Sequence, residues 1–178
     1  MSTISQQISN HLKVLLFTAP LLIPLVAFWL VPFGYSFYIS FTDWDYISPE
    51  YDFIGLENYQ YMVEDFEFTQ ALINTFWFSL GVVIPTVVLG LIFALLLHKN
   101  FAGSQFYRAV IFSPWITPTV AVSIVWSWVF ESKSGLANQI LMSMGFDKIA
   151  WLEQGDTAMV AVIIVTIWQA IGWTMLFY

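Results

Sequence analysis

The chain has 178 residues, of which 59% are hydrophobic and only 10% are charged, and its net charge is −7. Soluble domains carry about 25% charged residues, so this composition indicates a membrane protein. The chain contains no cysteine, which excludes disulfides, thiolate zinc sites and iron–sulfur clusters. Because the net charge is negative and the sequence contains no basic patch, nucleic-acid binding is not indicated.

Four apolar stretches contain no Asp, Glu, Lys, Arg or His, and each is 22 to 28 residues long. A helix needs about 20 apolar residues to cross a hydrocarbon core of roughly 30 Å. The sequence therefore predicts an all-α membrane protein, a polytopic bundle with transmembrane helices at 14–41, 71–97, 109–130 and 157–178. Since no span carries an ionisable group, neither an ion-coupled pump nor an intramembrane enzyme is expected.

The charged residues predict the orientation of the chain in the membrane. All twelve acidic residues fall in 42–70 and 131–156, whereas the other two flanks carry Lys13, Lys99 and Arg108 without an acid. Basic residues near span ends favour the cytoplasmic side. We therefore predict that residues 1–13 form a cytoplasmic N-terminus and that the acidic segments lie outside.

The first acidic segment, 42–70, contains apolar residues at the helical spacing of Leu56, Tyr59, Val63 and Phe66. This spacing predicts a short amphipathic helix along the outer surface. Two interpretations stay open: a docking face for an external partner, or a solvated loop that packs on the bundle. The acidic residues of the candidate docking face are Glu57, Glu64, Asp65 and Glu67.

Six of the seven prolines lie within the spans. We expect Pro24 and Pro32 to bend the first span, and Pro114 and Pro118 lie in the first turns of the third. This pattern favours kinked helices around a cavity. In the second span, small residues at 81, 90 and 94 predict close packing against a neighbouring helix, and a short helix is expected between Gly135 and Gly145.

Neutral polar and aromatic side chains inside the spans are the candidate ligand-binding groups. Aromatic planes combined with amide and hydroxyl groups suit an uncharged, polyhydroxylated ligand such as a sugar. The alternative is that Gln169 bridges helices while the tryptophans face lipid. No phosphate-binding glycine-rich loop and no metal-ligand cluster is present, so no cofactor is expected in this chain. The candidate path-lining residues are Trp126, Ser127, Gln169 and Trp173.

The segment Phe53–Tyr59 reads FIGLENY. It resembles the F-x-G-L-x-N-Y segment that follows the first span in permease subunits of binding-protein-dependent ABC sugar importers. Further matches follow in the same order along the chain. They are Asn74-Thr75, Ala94-Leu95-Leu96-Leu97, Phe106-Tyr107-Arg108 with Pro114 and Pro118, Trp126 with Phe130, Gly135 with Asn138, Trp151-Leu152, and Ile167-Trp168 with Gly172.

The resemblance implies a subunit of six spans in a bacterial inner or cytoplasmic membrane, with both ends cytoplasmic. It also implies a second permease subunit, cytoplasmic ATPase subunits that bind ATP, and an external solute-binding protein. The Glu-Ala-Ala…Gly coupling segment of the family follows the span that ends near Tyr178, so we expect this chain to be the N-terminal portion of a longer protein. The alternative is a membrane scaffold or assembly subunit without a path. The sequence does not predict which solute is carried.

Overall fold

The structure, a computed structural model, describes residues 4–98 and 101–178. Residues 1–3 of the predicted cytoplasmic N-terminus, and Lys99 of the basic flank, lie outside the described residues. Those that are described form helices joined by turns, with one isolated antiparallel bridge between Thr42 and Phe53. The predicted all-α class is confirmed. The chain divides into two compact units, Met1–Gln70 and Ala71–Tyr178.

The first unit opens with a long apolar helix in three parts. Helix α1 covers Ile4–Leu25, a π-helical turn covers Val26–Leu30, and α2 covers Val31–Ile39. Pro24 cannot donate a backbone hydrogen bond, and the wider π-helical turn follows directly after α1. Pro32 is the second residue of α2, directly after the π-helical turn, and it also cannot donate a backbone hydrogen bond.

The segment that carries the family resemblance returns to the end of α2. The amide of Asn58 donates to the carbonyls of Ser40 (3.0 Å) and Thr42 (2.7 Å). The hydroxyls of Tyr59 and Ser40 are 2.6 Å apart, and the rings of Phe41 and Phe53 stack with centroids at 6.2 Å. These contacts satisfy carbonyls that α2 leaves open at its C-terminus, so the motif has a structural role.

Helix α3 covers Glu57–Glu64, and α4 covers Phe66–Leu97. The short helix therefore occupies the predicted position, while the second long helix begins five residues before the predicted start at 71. Asp65 explains this start, because its Oδ1 accepts a hydrogen bond from the backbone N–H of Glu67 at 2.7 Å. A carboxylate at this position satisfies an open N–H and favours a helix N-terminus.

The predicted third span, 109–130, is not one continuous helix. Helix α5 covers Ser104–Ile116, α6 covers Thr119–Val129, and the two meet at 97°. The break coincides with Pro118, whose ring disfavours the helical conformation for the preceding residue. Thr117 is accordingly extended, with ψ 132°. The stretch forms a broken span or a re-entrant loop, and the prediction of a single helix was wrong for this reason.

Two further helices complete the second unit. Helix α7 covers Leu136–Ser143, where a short helix is predicted, and α8 covers Gly155–Met175. By length and composition, three helices of the described chain can cross a membrane, and four if the bent pair counts as one span. They are Lys13–Ile39, Phe66–Leu97 and Gly155–Met175, with Ser104–Ile116 and Thr119–Val129 as the bent pair.

Glycines set the closest helix contacts of the second unit. A Cβ added to Gly172 of α8 would lie 2.6 Å from Cα of Phe112 and closer still to the carbonyl oxygen of Ile111, both in the backbone of α5. Gly81 and Gly90 of α4 face Ile163 and Thr174 of α8. Small residues allow such close backbone approach in membranes. The neighbour of the small residues in the second span is therefore α8 of the same chain.

Candidate functional site

The bend at Thr117 and Pro118 is followed by a cavity of about 280 Å³ between α6 and α8. Its lining contains no charged side chain. Three of the four predicted path-lining residues, Trp126, Ser127 and Gln169, lie together in this cavity. Its polar and aromatic lining comprises Thr119, Ser123, Trp126, Ser127, Phe130, Thr166 and Gln169.

The hydroxyls of the cavity are hydrogen-bonded to their own helices. Ser123 donates to the carbonyl of Thr119 (2.9 Å), Ser127 to that of Ile124 (2.8 Å), and Thr166 to that of Val162 (2.8 Å). Each hydroxyl has one proton and two acceptor lone pairs. With their protons used in this way, these side chains offer hydrogen-bond acceptors to whatever fills the cavity.

The amide of Gln169 differs from these hydroxyls, because it forms no hydrogen bond with any residue that the structure describes. The side chain is half-buried on α8. A primary amide supplies two donors and one acceptor oxygen, and because the side chain is not fully buried these groups can be satisfied by water or by a solute. The structure therefore does not bear out Gln169 as a bridge between helices, and its amide is open to the cavity.

Trp126 supplies the aromatic wall. Its ring stacks on Phe130 with centroids 5.3 Å apart and an interplanar angle of 23°, and it meets the edge of Trp168 at 5.4 Å. These are the offset-stacked and edge-to-face geometries that aromatic pairs prefer. Because Trp126 is held on two sides, it presents a fixed planar face.

Trp173, the fourth predicted path-lining residue, lies outside this cavity. Its ring stacks on Trp115 of α5 with centroids 5.1 Å apart and an interplanar angle of 15°. Phe112 and Phe177 are close to the same ring, at 6.5 and 5.2 Å. The structure thus brings Trp173 together with α5 rather than with Trp126 and Gln169.

The acidic residues of the candidate docking face are all exposed. Glu57 lies in the first turn of α3, where a carboxylate interacts favourably with the positive end of the helix dipole. Asp65 directly precedes α4, and its Oδ1 accepts a hydrogen bond from the backbone N–H of Glu67 in that helix. Glu67 likewise lies in the first turn of α4, near the positive end of its dipole. Glu64 has no such structural explanation. The inner side of α3 packs through Tyr59. The segment therefore has one packed side and one exposed acidic side, so both the packed-loop and the docking-face interpretations stay open.

Two carboxylates in the loops form turns through backbone contacts. The pKa of Asp45 is held below its ordinary value chiefly by the N–H groups of Ser48 and Ile47. The pKa of Glu131 is lowered chiefly by the N–H groups of Lys133 and Ser134. Hydrogen bonds to the charged form lower a pKa in this way. Across the described residues no group of three or more His, Cys, Asp or Glu side chains could hold a metal ion.

Thr119 and Thr166 were not singled out from the sequence as lining residues. A signal for them exists, since Thr119, Ser123 and Ser127 recur every four residues, and Thr166 precedes Gln169 by three. Side chains at these spacings share one face of a helix. A search for polar stripes within the apolar stretches would have found both threonines.

Comparison with known proteins finds permease proteins that are similar in sequence. The diacetylchitobiose uptake system permease protein of Streptomyces coelicolor is 34% identical over 175 residues, covering 90% of this chain and 50% of the relative. The xylose/arabinose import permease protein of Haloferax volcanii is 32% identical over 163 residues, covering 85% and 51%. The chain thus spans about half the length of these relatives. No model of a known protein family matches it.

The fold leads to the same group of proteins. A crystal structure of a bacterial alginate ABC transporter, in complex with a periplasmic protein carrying an alginate pentasaccharide, contains a chain that superposes with a TM-score of 0.74 at 19% identity. The match covers 97% of this chain and 57% of the other. The chain is therefore a homologue of the permease subunits of sugar ABC transporters and has the fold of an ABC transporter permease.

Proposed function

We propose that this chain forms part of the translocation path of an ABC importer for a sugar or a related polyhydroxylated solute. The observation that carries the proposal is the open amide of Gln169, in a cavity whose wall is Trp126. A sugar has apolar C–H faces that stack on an aromatic ring and hydroxyls that satisfy amides and hydroxyls. Such a lining, apolar with a few placed polar groups, is typical of small-molecule sites.

The hydrogen-bonding pattern of the cavity suits hydroxyl-bearing solutes. The serine and threonine hydroxyls accept, while the Gln169 amide both donates and accepts. Sugar hydroxyls also donate and accept, so one solute can satisfy both kinds of group. Because no charged side chain lines the cavity, we expect a neutral sugar rather than a phosphorylated or carboxylated one at this point of the path.

The alternative of a non-transporting scaffold receives no support. The relatives named above are called uptake or import permeases. We therefore prefer a path-forming role for α6 and α8.

The assembly around this chain is part of the same proposal. A second permease subunit would complete the path, and ATP would be bound and hydrolysed on separate cytoplasmic ATPase subunits. An external solute-binding protein would dock on the outer loops, with Glu57, Glu64, Asp65 and Glu67 as its candidate contacts. The N-terminus would be cytoplasmic, as Lys13 and Arg108 favour. These expectations come from the homology and the charge pattern.

Uptake by Gln169→Leu tests the proposal. The full-length permease would be assembled with its partner subunits in membrane vesicles and supplied with labelled xylose, arabinose and diacetylchitobiose in turn. For any sugar that the unsubstituted protein takes up, we expect a loss of about ten-fold, since one hydrogen-bonded amide is worth about 1–2 kcal/mol.

The matched control is Gln139→Leu. Gln139 is an exposed amide on α7 that donates to the carbonyl of Ser134 at 2.7 Å, away from the cavity. Its replacement should leave uptake unchanged. Trp126→Ala should impair uptake as Gln169→Leu does, with normal assembly in both. Unchanged uptake in both cavity variants would contradict the proposal.

A further inference from the structure

The segment that connects α6 to α8 is held by one buried side chain, Asn138. It is 0% exposed, and its Nδ2 donates to the carbonyls of Ser132 and Ile149, both at 2.9 Å. Its Oδ1 accepts from the backbone N–H of Ile149 (3.0 Å) and from Nε1 of Trp151 (3.1 Å). All four hydrogen bonds that an asparagine amide can make are formed. Asn138 therefore joins the two ends of this segment and orients the Trp151 ring.

A series of rings leads from Trp151 to the cavity. The centroid of Trp151 is 5.2 Å from that of Phe130, Phe130 is 5.3 Å from Trp126, and Trp126 is 5.4 Å from Trp168. Phe130 is only 4% exposed. We call Trp151, Phe130, Trp126 and Trp168 the ring series. Phe130 and Trp126 line the cavity, whereas Trp151 does not.

We propose that Asn138 and Trp151 are positioning residues for the cavity wall: they fix the 131–156 segment to the ring series, so that a displacement of this segment moves Trp126. The inference rests on the proposed function for the importance of the cavity, and it adds how the cavity is controlled. Closely packed rings transmit displacement because interiors have little free volume.

The coupling has a reciprocal consequence. If moving the segment changes the solute affinity of the cavity, a solute seated on Trp126 stabilises the segment by the same factor. A partner that contacts the exposed residues of 131–156, such as Leu136, Ile140 or Phe146, thus acts on the cavity without reaching it. This places control of the cavity in the connecting segment.

These 178 residues contain no cysteine, so a single introduced cysteine can be labelled once any cysteine elsewhere in the assembly has been replaced by serine. A nitroxide spin label attached to Ser123→Cys, in the full-length permease assembled with its partner subunits, reports from the cavity wall one helical turn from Trp126. Its rotational mobility measures how firmly the wall is held. Its accessibility to a water-soluble nickel complex, compared with oxygen, measures whether the cavity holds water.

Two substitutions of Trp151 are compared in this background. Trp151→Leu removes the ring and should raise the mobile fraction of the label by about two-fold or more, since residues in contact are coupled by about 0.5 kcal/mol or more. Trp151→Phe keeps the ring, loses the N–H donated to Asn138, and should give a smaller change. Trp128→Leu is the matched control, because Trp128 lies on the same helix as the label, is 71% exposed and lies outside the ring series. It should change nothing.

Asn138→Ala should reproduce the effect of Trp151→Leu, although it also lowers stability, so the Trp151 pair decides the question. Combining Trp151→Leu with Phe130→Leu should give no more mobility than Phe130→Leu alone, since both act through one series. Additive changes, or mobility unaffected by Trp151→Leu, would overturn the positioning role.

The two proposals fail in different ways. If Trp151→Leu changes label mobility but Gln169→Leu leaves uptake intact, the ring series positions the wall and the cavity is not the path. If Gln169→Leu reduces uptake but Trp151→Leu leaves label mobility unchanged, the cavity is supported as part of the path and the positioning role is rejected. If oxygen reaches the label but the nickel complex does not, the cavity holds no water, which contradicts its role in the path. The comparison of label mobilities remains valid in that case.

Discussion

The two connecting segments of this chain, 42–70 and 131–156, are both held by an asparagine, but to different extents. Asn58 is exposed and uses only its two amide protons, on the carbonyls of Ser40 and Thr42. Asn138 is fully buried and uses both protons and both lone pairs. The first asparagine closes a helix end, whereas the second organises a whole segment and the ring beside it.

Gln169 adds a third case, with an amide that none of the described residues satisfies. Because Gln169 is only half-buried, its amide can be satisfied by water or by a solute. Asn138 is fully hydrogen-bonded, Asn58 is partly hydrogen-bonded, and Gln169 has no hydrogen bond within the described chain. We interpret the two asparagines as structural and Gln169 as available to a ligand. Each prediction below tests one member of this comparison or the turn beside it.

Replacement of Asn138 should have the largest effect on stability. Asn138→Ala removes four hydrogen bonds and leaves the N–H groups of Ile149 and Trp151 without their acceptor, so a loss of about 3 kcal/mol or more is expected. Thermal unfolding in detergent measures it. Gln139→Ala, the neighbouring exposed amide with one hydrogen bond, is the control. Equal unfolding temperatures for the two variants would contradict the expectation that buried Asn138 stabilises the fold more than exposed Gln139.

Replacement of Asn58 should have an intermediate effect. Asn58→Ala opens the carbonyls of Ser40 and Thr42, but this site is more exposed, so water replaces part of what is lost and about 1 kcal/mol is expected. The same thermal measurement applies. The control is Gln60→Ala, an exposed amide on the same helix. A loss as large as that of Asn138→Ala would show that burial does not rank these two asparagines.

Replacement of Gln169 should leave stability nearly unchanged. Gln169→Leu removes no protein hydrogen bond within the described chain and exchanges an open amide for an apolar group, so a change of about 0.5 kcal/mol or less is expected. Unfolding temperature and sugar uptake should therefore separate, with only uptake reduced. A large drop in unfolding temperature would instead mean that the amide has a structural partner in the assembled protein.

The smallest expected effect concerns pH and the turn that precedes Gly135. Because hydrogen bonds lower the pKa of Glu131 in the folded chain, its stabilising contribution is present above its ordinary pKa of 4.5 and is lost as the pH falls through the lowered value. Glu131→Gln should remove this part of the pH dependence of unfolding. An identical acid profile for both proteins would show that the turn does not depend on the charge.

Much of the fold could be predicted from the sequence, since apolar stretches without charge are long enough to cross a bilayer. The start of α4 at Phe66 is not predicted, because Phe66 continues the apolar spacing of the short helix, whereas Asp65 is extended and starts α4. The break at Thr117 was missed because an apolar count does not weigh the conformational restriction that Pro118 imposes on its neighbour. Local backbone chemistry decided both positions.

The candidate site was predicted in part. Trp126, Ser127 and Gln169 lie on α6 and α8, and the bend that precedes α6 lets these helices enclose a cavity. Trp173 is four residues after Gln169, which suggests a shared helical face, yet its ring stacks on Trp115 of α5. Which neighbour a ring meets depends on tertiary packing that no spacing within one helix encodes.

The contact at Gly172 also limits how this chain can vary. Any side chain there would place its first carbon inside the backbone of Ile111 and Phe112, and a backbone cannot move aside as a flexible side-chain tip can. In a saturation library we therefore expect glycine alone to survive at position 172, whereas Gly34 and Gly155, which have open space around them, should accept many residues. Mutational tolerance along the helices would then trace the α5–α8 contact without any structural measurement.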